Sequence, residues 1–177
     1  DPTKLEPLMG KSYTISDDAK TIDVTIRDGE KWSDGEPYTA EDVAYTFNLL
    51  NSNKALNTGG FAGSAKALSD TEVRITLDNS ESVNALSYLS GTMIVPKHVW
   101  EKIDDPVTYT NKDAVGSGPF TVKGGNFSPT AYTFKKNPHY WDEGKPEIDG
   151  VRYVLITGGT QASQNALTAG DEIGRAS

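Results

Sequence analysis

Between Thr21 and Phe47 the chain writes a strand, two turns and a capped helix in one unbroken run, and this run constrains the fold more than any other feature. Ile22, Val24 and Ile26 alternate with Thr21, Asp23, Thr25 and Arg27, the period of a strand with one buried face. Asp28-Gly29 stops that strand, and Ser33-Asp34-Gly35 is a second turn signal, because Gly tolerates positive φ and Asp bonds its own backbone. Pro37 keeps the chain extended before Thr39, which is placed to cap a helix. Asp42, three residues on, completes a near capping box, and Glu41 and Asp42 suit the positive end of the dipole. Ala40, Val43, Ala44, Phe47 and Leu50 then recur at helical spacing and give one apolar face.

The flanking sequence is less regular. Residues 1–20 read as an irregular polar segment carrying Pro2, Pro7 and Gly10, and Asn51 to Gly60 reads as an exposed loop of turn formers. Phe61 to Leu68 fits either a helical turn or a strand. Val73, Ile75 and Leu77 alternate with polar residues, which predicts a half-buried strand, with Asp70-Thr71 at the tip of a hairpin before it. Ser82 is placed to cap a short helix with Val83, Leu86 and Leu89 inward. Pro96 suits the first turn of another, with Val99, Trp100 and Ile103 on its inner side. Asp104 to Lys112 is a polar surface linker. Phe120–Val122, Tyr132–Phe134 and Val151–Ile156 predict three more strands, the last apolar on both faces and therefore expected to be the most buried. Thr160 is placed to cap a final helix through Ala162, Ala166, Leu167 and Ala169. Strands and helices mix without regular βαβ alternation, so the expected class is α+β with a largely antiparallel sheet and short helices.

The wording of three stretches is more specific than their periodicity. Lys31-Trp-Ser-Asp-Gly-Glu-Pro-Tyr-Thr-Ala-Glu-Asp-Val43 resembles the signature of the family 5 extracytoplasmic solute-binding proteins of ABC importers, the dipeptide-, oligopeptide- and nickel-binding type. Gly116-Ser-Gly-Pro-Phe-Thr-Val122 is similar to the Gly-Thr-Gly-Pro-Tyr/Phe start of a strand in that family. Lys136-Asn-Pro-His-Tyr-Trp-Asp-Glu-Gly-Lys-Pro146 resembles its Asn-Pro-x-Tyr-Trp stretch. Ile148 to Val154 and Gln164 to Gly170 fit the strand and helix end that follow, so the likeness runs from about Tyr13 to Gly170. The resemblance implies part of the first lobe plus the inserted subdomain of a periplasmic-binding-protein-like class II fold. On this reading residues 21–170 are that unit, residues 171–177 a divergent tail, and the chain an N-terminal fragment of a two-lobed receptor.

Bulk properties narrow the classes. Lys and Arg total 17 against 25 Asp and Glu, a formal charge of −8, which argues against a phosphate backbone as partner. No apolar run approaches the roughly eighteen residues that a membrane-spanning helix requires. Cysteine is absent, which decides little about compartment. The chain opens at Asp1 without an initiator Met, and a signal or lipoprotein leader is expected to have been removed.

Catalysis and metal binding have no positive support in the sequence. His98 and His139 are the only histidines, and they do not have the spacing of a helical metal site. Glu41-Asp42 is explained by capping, no Gly-x-Ser-x-Gly elbow is present, and Gly116-Ser-Gly118 precedes Pro where a phosphate-cradling loop needs Lys-Ser/Thr. No catalytic residue, metal or cofactor is therefore expected. Trp32, Trp100 and Trp141 read as packing residues before they read as ligand contacts.

The candidate ligand-binding residues are Ser90, Gly91, Thr92 and Met93, a small polar segment leaving a helix, where Gly91 permits close approach and Met93 is adaptable. The resemblance implies a non-enzymatic receptor that captures a peptide or oligosaccharide between lobes and presents it to a membrane permease. It also implies an extracytoplasmic location, periplasmic or lipid-anchored at the cell surface. A stand-alone module binding a protein partner on an exposed sheet face is the alternative, and an acidic hydrolase a third.

Overall fold

The computed structural model describes residues 7–80, 84–157 and 159–168, arranged as two antiparallel sheets with four helices among them. The class is α+β, as the mixed patterning predicts. The first sheet has the order β1-β2-β4-β3, from β1 (Gly10–Ile15), β2 (Thr21–Ile26), β3 (Gly63–Ala67) and β4 (Glu72–Leu77). Its centre follows from the alternation of β2 and β4. The register sets Ile22 opposite Ile75 and Val24 opposite Val73, all on one buried face. Asp23 and Arg74 are directly opposed on the other face, where the guanidinium grips the carboxylate through two bonds of 2.7 and 2.8 Å. Helix α1 (Ala40–Ser52) lies across the apolar face with Val43, Ala44 and Phe47 inward. It starts as expected, for the Thr39 N–H donates to Asp42 Oδ2 at 2.8 Å in a capping box.

Three expectations need correction. Residues 1–20 are not irregular throughout, because Gly10–Ile15 pairs with β2 as an edge strand. Most of its side chains are exposed, so it carries no apolar alternation to announce it. The strand read at Val151–Ile156 is not the most buried. It is β7 (Gly150–Val154), at the edge of a second sheet ordered β5-β6-β7 with β5 (Phe120–Phe127) and β6 (Ala131–Lys136), and Tyr153, Val154 and Leu155 are 53%, 44% and 62% exposed. Apolar residues on both faces signal burial only when layers cover both faces, and among the described residues nothing covers this edge. Thr160 does not cap the last helix but sits inside it, since α4 spans Gly159–Thr168.

The ambiguous stretch Phe61 to Leu68 resolves to β3, joined to β4 by the hairpin whose tip is Asp70-Thr71. Two short helices follow, α2 (Ala85–Gly91) and α3 (Lys97–Trp100), with Pro96 at the N-cap of α3. In α2 the buried residues are Ala85 and Tyr88, while Leu89 packs at the margin of the core. The proposed cap Ser82 and its neighbour Val83 lie outside the described residues, as do Ala169 and the tail at 171–177. Among the described residues no helix is long and apolar enough to cross a membrane.

Candidate functional site

The three distinctive stretches converge through their loops. Ser33 N–H donates to the Gly116 carbonyl at 2.9 Å, and Gly116 N–H returns a bond to Ser33 Oγ at 3.2 Å. Asn137, 1% exposed, donates its backbone N–H to the Pro119 carbonyl at 2.9 Å and its Nδ2 to the Gly118 carbonyl at 2.8 Å. Arg27, at the end of the first strand of the run, lies 4.1 Å over the Trp141 ring. These contacts, rather than one shared sheet, tie the stretches together across both sheets. Trp32 and Trp141 thus act in packing: Trp32 is 1% exposed, with its ring 4.9 Å from Tyr38. Burial pushes the Tyr38 phenol well above its usual range, and the neighbouring Asp42 charge adds to the effect.

His98 and His139 both approach the Ser33-Asp34-Gly35 turn. His98 Nε2 is 2.9 Å from Asp34 Oδ2, and a Cβ on Gly35 would stand 3.4 Å from His139 Nε2. Burial pushes the Asp34 carboxyl upward, but bonds from His98 and the Glu36 N–H together with the His98 charge outweigh it. The group lies below the ordinary carboxylate range.

A groove of about 750 Å³ opens beside this knot, predominantly apolar, with a floor of Val24, Ile26, Ile75 and Phe47 from the first sheet and α1. Volumes of several hundred Å³ suit small-molecule or side-chain ligands. Three of the four predicted residues, Ser90, Thr92 and Met93, line it, while Gly91 faces a second hollow of about 350 Å³ on the other side of the same segment. Met93 is 85% exposed, so it stands on the rim, free to adapt. Ser90 turns its hydroxyl back to the Leu86 carbonyl at 2.9 Å, and open space surrounds the position of a side chain on Gly91.

A model of the bacterial extracellular solute-binding proteins, family 5, matches residues 4–173. The chain belongs to this family. Protein XP55 of Streptomyces lividans is 33% identical over 95% of the chain, and the match covers 31% of that protein. Among solved structures, the ABC transporter substrate-binding protein CtaP of Listeria monocytogenes superposes with a TM-score of 0.83 at 30% identity, over 94% of this chain and 35% of that one. The periplasmic oligopeptide-binding protein of Thermotoga maritima, solved with mannohexaose bound, gives 0.82 at 25% identity, over 97% and 33%. The chain therefore spans about a third of the length of these family 5 proteins.

Sequence reasoning missed much of the groove's lining. Leu8 and Met9 contribute to it, as do Ala114, Val115 and the Gly116-Ser117-Gly118 turn. The glycine turn carries a sequence signal, because Gly116-Ser-Gly-Pro119 marks a loop before the strand that starts at Phe120. Leu8 and Met9 carry no periodic signal, and their place depends on the pairing of β1, which the polar sequence hides.

Proposed function

We propose that this chain forms one wall of a solute-binding cleft in an extracytoplasmic receptor serving an ABC importer, periplasmic or lipid-anchored, with a membrane permease as its partner. The observation that carries the reading is the apolar groove bounded by Ser90, Thr92 and Met93 in a chain of family 5. The solute class is a peptide or oligosaccharide, supported by the Thermotoga maritima neighbour, which is named for oligopeptide binding and was solved with mannohexaose. The role is non-catalytic. Affinity comes from burying the solute between two closing lobes, because a cleft that encloses most of a ligand's surface gains far more than a single wall. On this reading residues 21–170 are the first-lobe region with its inserted subdomain.

In a protein carrying this chain at the full length of its relatives, Met93→Asp is expected to lower affinity for an oligopeptide or mannohexaose about tenfold, read by calorimetry. Unchanged affinity for every solute that the protein binds would remove the Ser90–Met93 segment from the site.

A second reading, a module that binds a protein partner on a sheet face, is favoured by one observation. Phe127, Tyr132 and Tyr153 stand in a row across β5, β6 and β7, stacked at 5.6 and 5.1 Å and 62%, 41% and 53% exposed. Replacing Tyr132 and Tyr153 by Ser together leaves solute affinity intact under the receptor reading. Loss of a protein partner in the same variant, with no solute bound by the parent, would favour the module.

A further inference from the structure

The groove wall does not hold its shape through apolar contact alone. Residues Thr92 to Pro96 connect α2 to α3 with no sheet partner, yet one of their backbone donors, and the N–H of Lys97 that opens α3, are taken by buried polar side chains of α1. Val95 N–H donates to Thr46 Oγ1 at 3.0 Å, and Lys97 N–H donates to Asp42 Oδ1 at 2.8 Å. Thr46 and Asp42 are 2% and 4% exposed. Thr46 Oγ1 itself donates to the Asp42 carbonyl at 2.8 Å, with the Val95 carbonyl 3.5 Å away, and its oxygen remains free to accept from the Val95 N–H. The other Asp42 oxygen takes Thr39 N–H at 2.8 Å and Trp32 Nε1 at 3.3 Å.

A threonine whose only task was to fill space would not need its hydroxyl aimed at another segment's amide. We propose that Thr46, supported by Asp42, is a positioning residue for the binding wall. It sets the height of Ile94 and Val95 over the groove floor and thereby the fit of an apolar group placed there. This rests on the reading of the groove as part of a solute site. The chemistry it implies is an apolar side chain, since Ile94, Val95, Pro96 and Trp100 line that part of the groove and its floor is aliphatic and aromatic. The same wall separates the two hollows that share Thr92, Met93, Val95 and Trp100, so a shift of its backbone would enlarge one hollow at the other's expense.

The test compares Thr46→Val, nearly isosteric but without the hydroxyl, with Thr46→Ser, which keeps it, in a protein carrying this chain at the full length of its relatives. Amide hydrogen exchange at Val95 and Lys97 and chemical shifts of residues 92–97 are read by NMR, with and without trileucine as the probe. Thr46→Val is expected to speed Val95 exchange about tenfold or more, the factor for one lost hydrogen bond of ordinary strength. The shifts that trileucine induces at Thr92 and Ile94 should weaken with it, while Ile22 and Val73 of the core keep their protection. Thr46→Ser restores both readouts. If Thr46→Val does not fold, Thr46→Ala gives the same comparison. Unchanged Val95 exchange in the variant lacking the hydroxyl overturns the positioning role. Fast Val95 exchange in the variant, with trileucine shifting nothing in the unsubstituted full-length protein, upholds the pin and removes the groove as the site of an apolar ligand.

Discussion

Asp42 accepts from three donors on three segments: the Thr39 N–H that opens α1, the Trp32 indole in the preceding turn, and the Lys97 N–H that opens α3. Removing it leaves those donors facing a protein interior, and each unsatisfied donor costs about 1–3 kcal/mol. Asp42→Ala is therefore expected to lower stability by about 3 kcal/mol or more in urea denaturation, well beyond the loss of a cap alone. A loss near 1 kcal/mol would mean that only the capping bond matters. Asp34 shows the sign of a second effect. Its carboxyl titrates below the ordinary value of 3.8 in the folded protein, so the stability it lends is full above that value and is lost as pH falls through the folded-state pKa. His98→Ala removes that bond and charge but leaves the Glu36 N–H bond. The Asp34 midpoint, followed by NMR, should then rise, and an unmoved midpoint would deny His98 its part.

At the level of elements, what was legible in the sequence depended on whether a single physical cause dominated. The alternation in β2 and β4 and the cap of α1 could be read residue by residue, because one buried face and one helix start dictate the residue types. β1 was hidden, since an exposed edge strand has no apolar stripe, and the exposure of β7 was misread because its apolar pattern says nothing about whether a layer covers it. Of the candidate ligand-binding residues, Ser90, Thr92 and Met93 line the groove, whereas the bond from Val95 to Thr46 spans forty-nine positions in sequence, which no local pattern encodes. The hairpin of β3 and β4 offers a check at this scale. A Cβ on Gly63 would collide with the Thr76 carbonyl oxygen, where the two strands pair. Gly63→Ala is expected to cost about 1–3 kcal/mol by overpacking, seen as a lower denaturation midpoint with an unchanged slope. Wild-type stability in that variant would show that the strands can part at no cost.

The whole molecule is best understood as loops held in place by two small sheets. The Trp-Ser-Asp-Gly turn, the Gly-Ser-Gly-Pro turn and the Asn-Pro-His-Tyr-Trp stretch bond to one another through Ser33, Gly116, Asn137 and the Arg27–Trp141 contact. That knot leaves the Ser90–Pro96 wall facing outward over an apolar floor, with no opposing wall among the described residues. The central claim is that this is one side of a two-sided cleft. Calorimetric titration with the same oligopeptide or mannohexaose, of this chain and of a protein of its relatives' full length, tests it most directly. Affinity for the chain is expected to be at least about a hundredfold weaker than for the longer protein, down to undetectable, because one wall buries too little of the solute. Tight, stoichiometric uptake by the chain alone would contradict it.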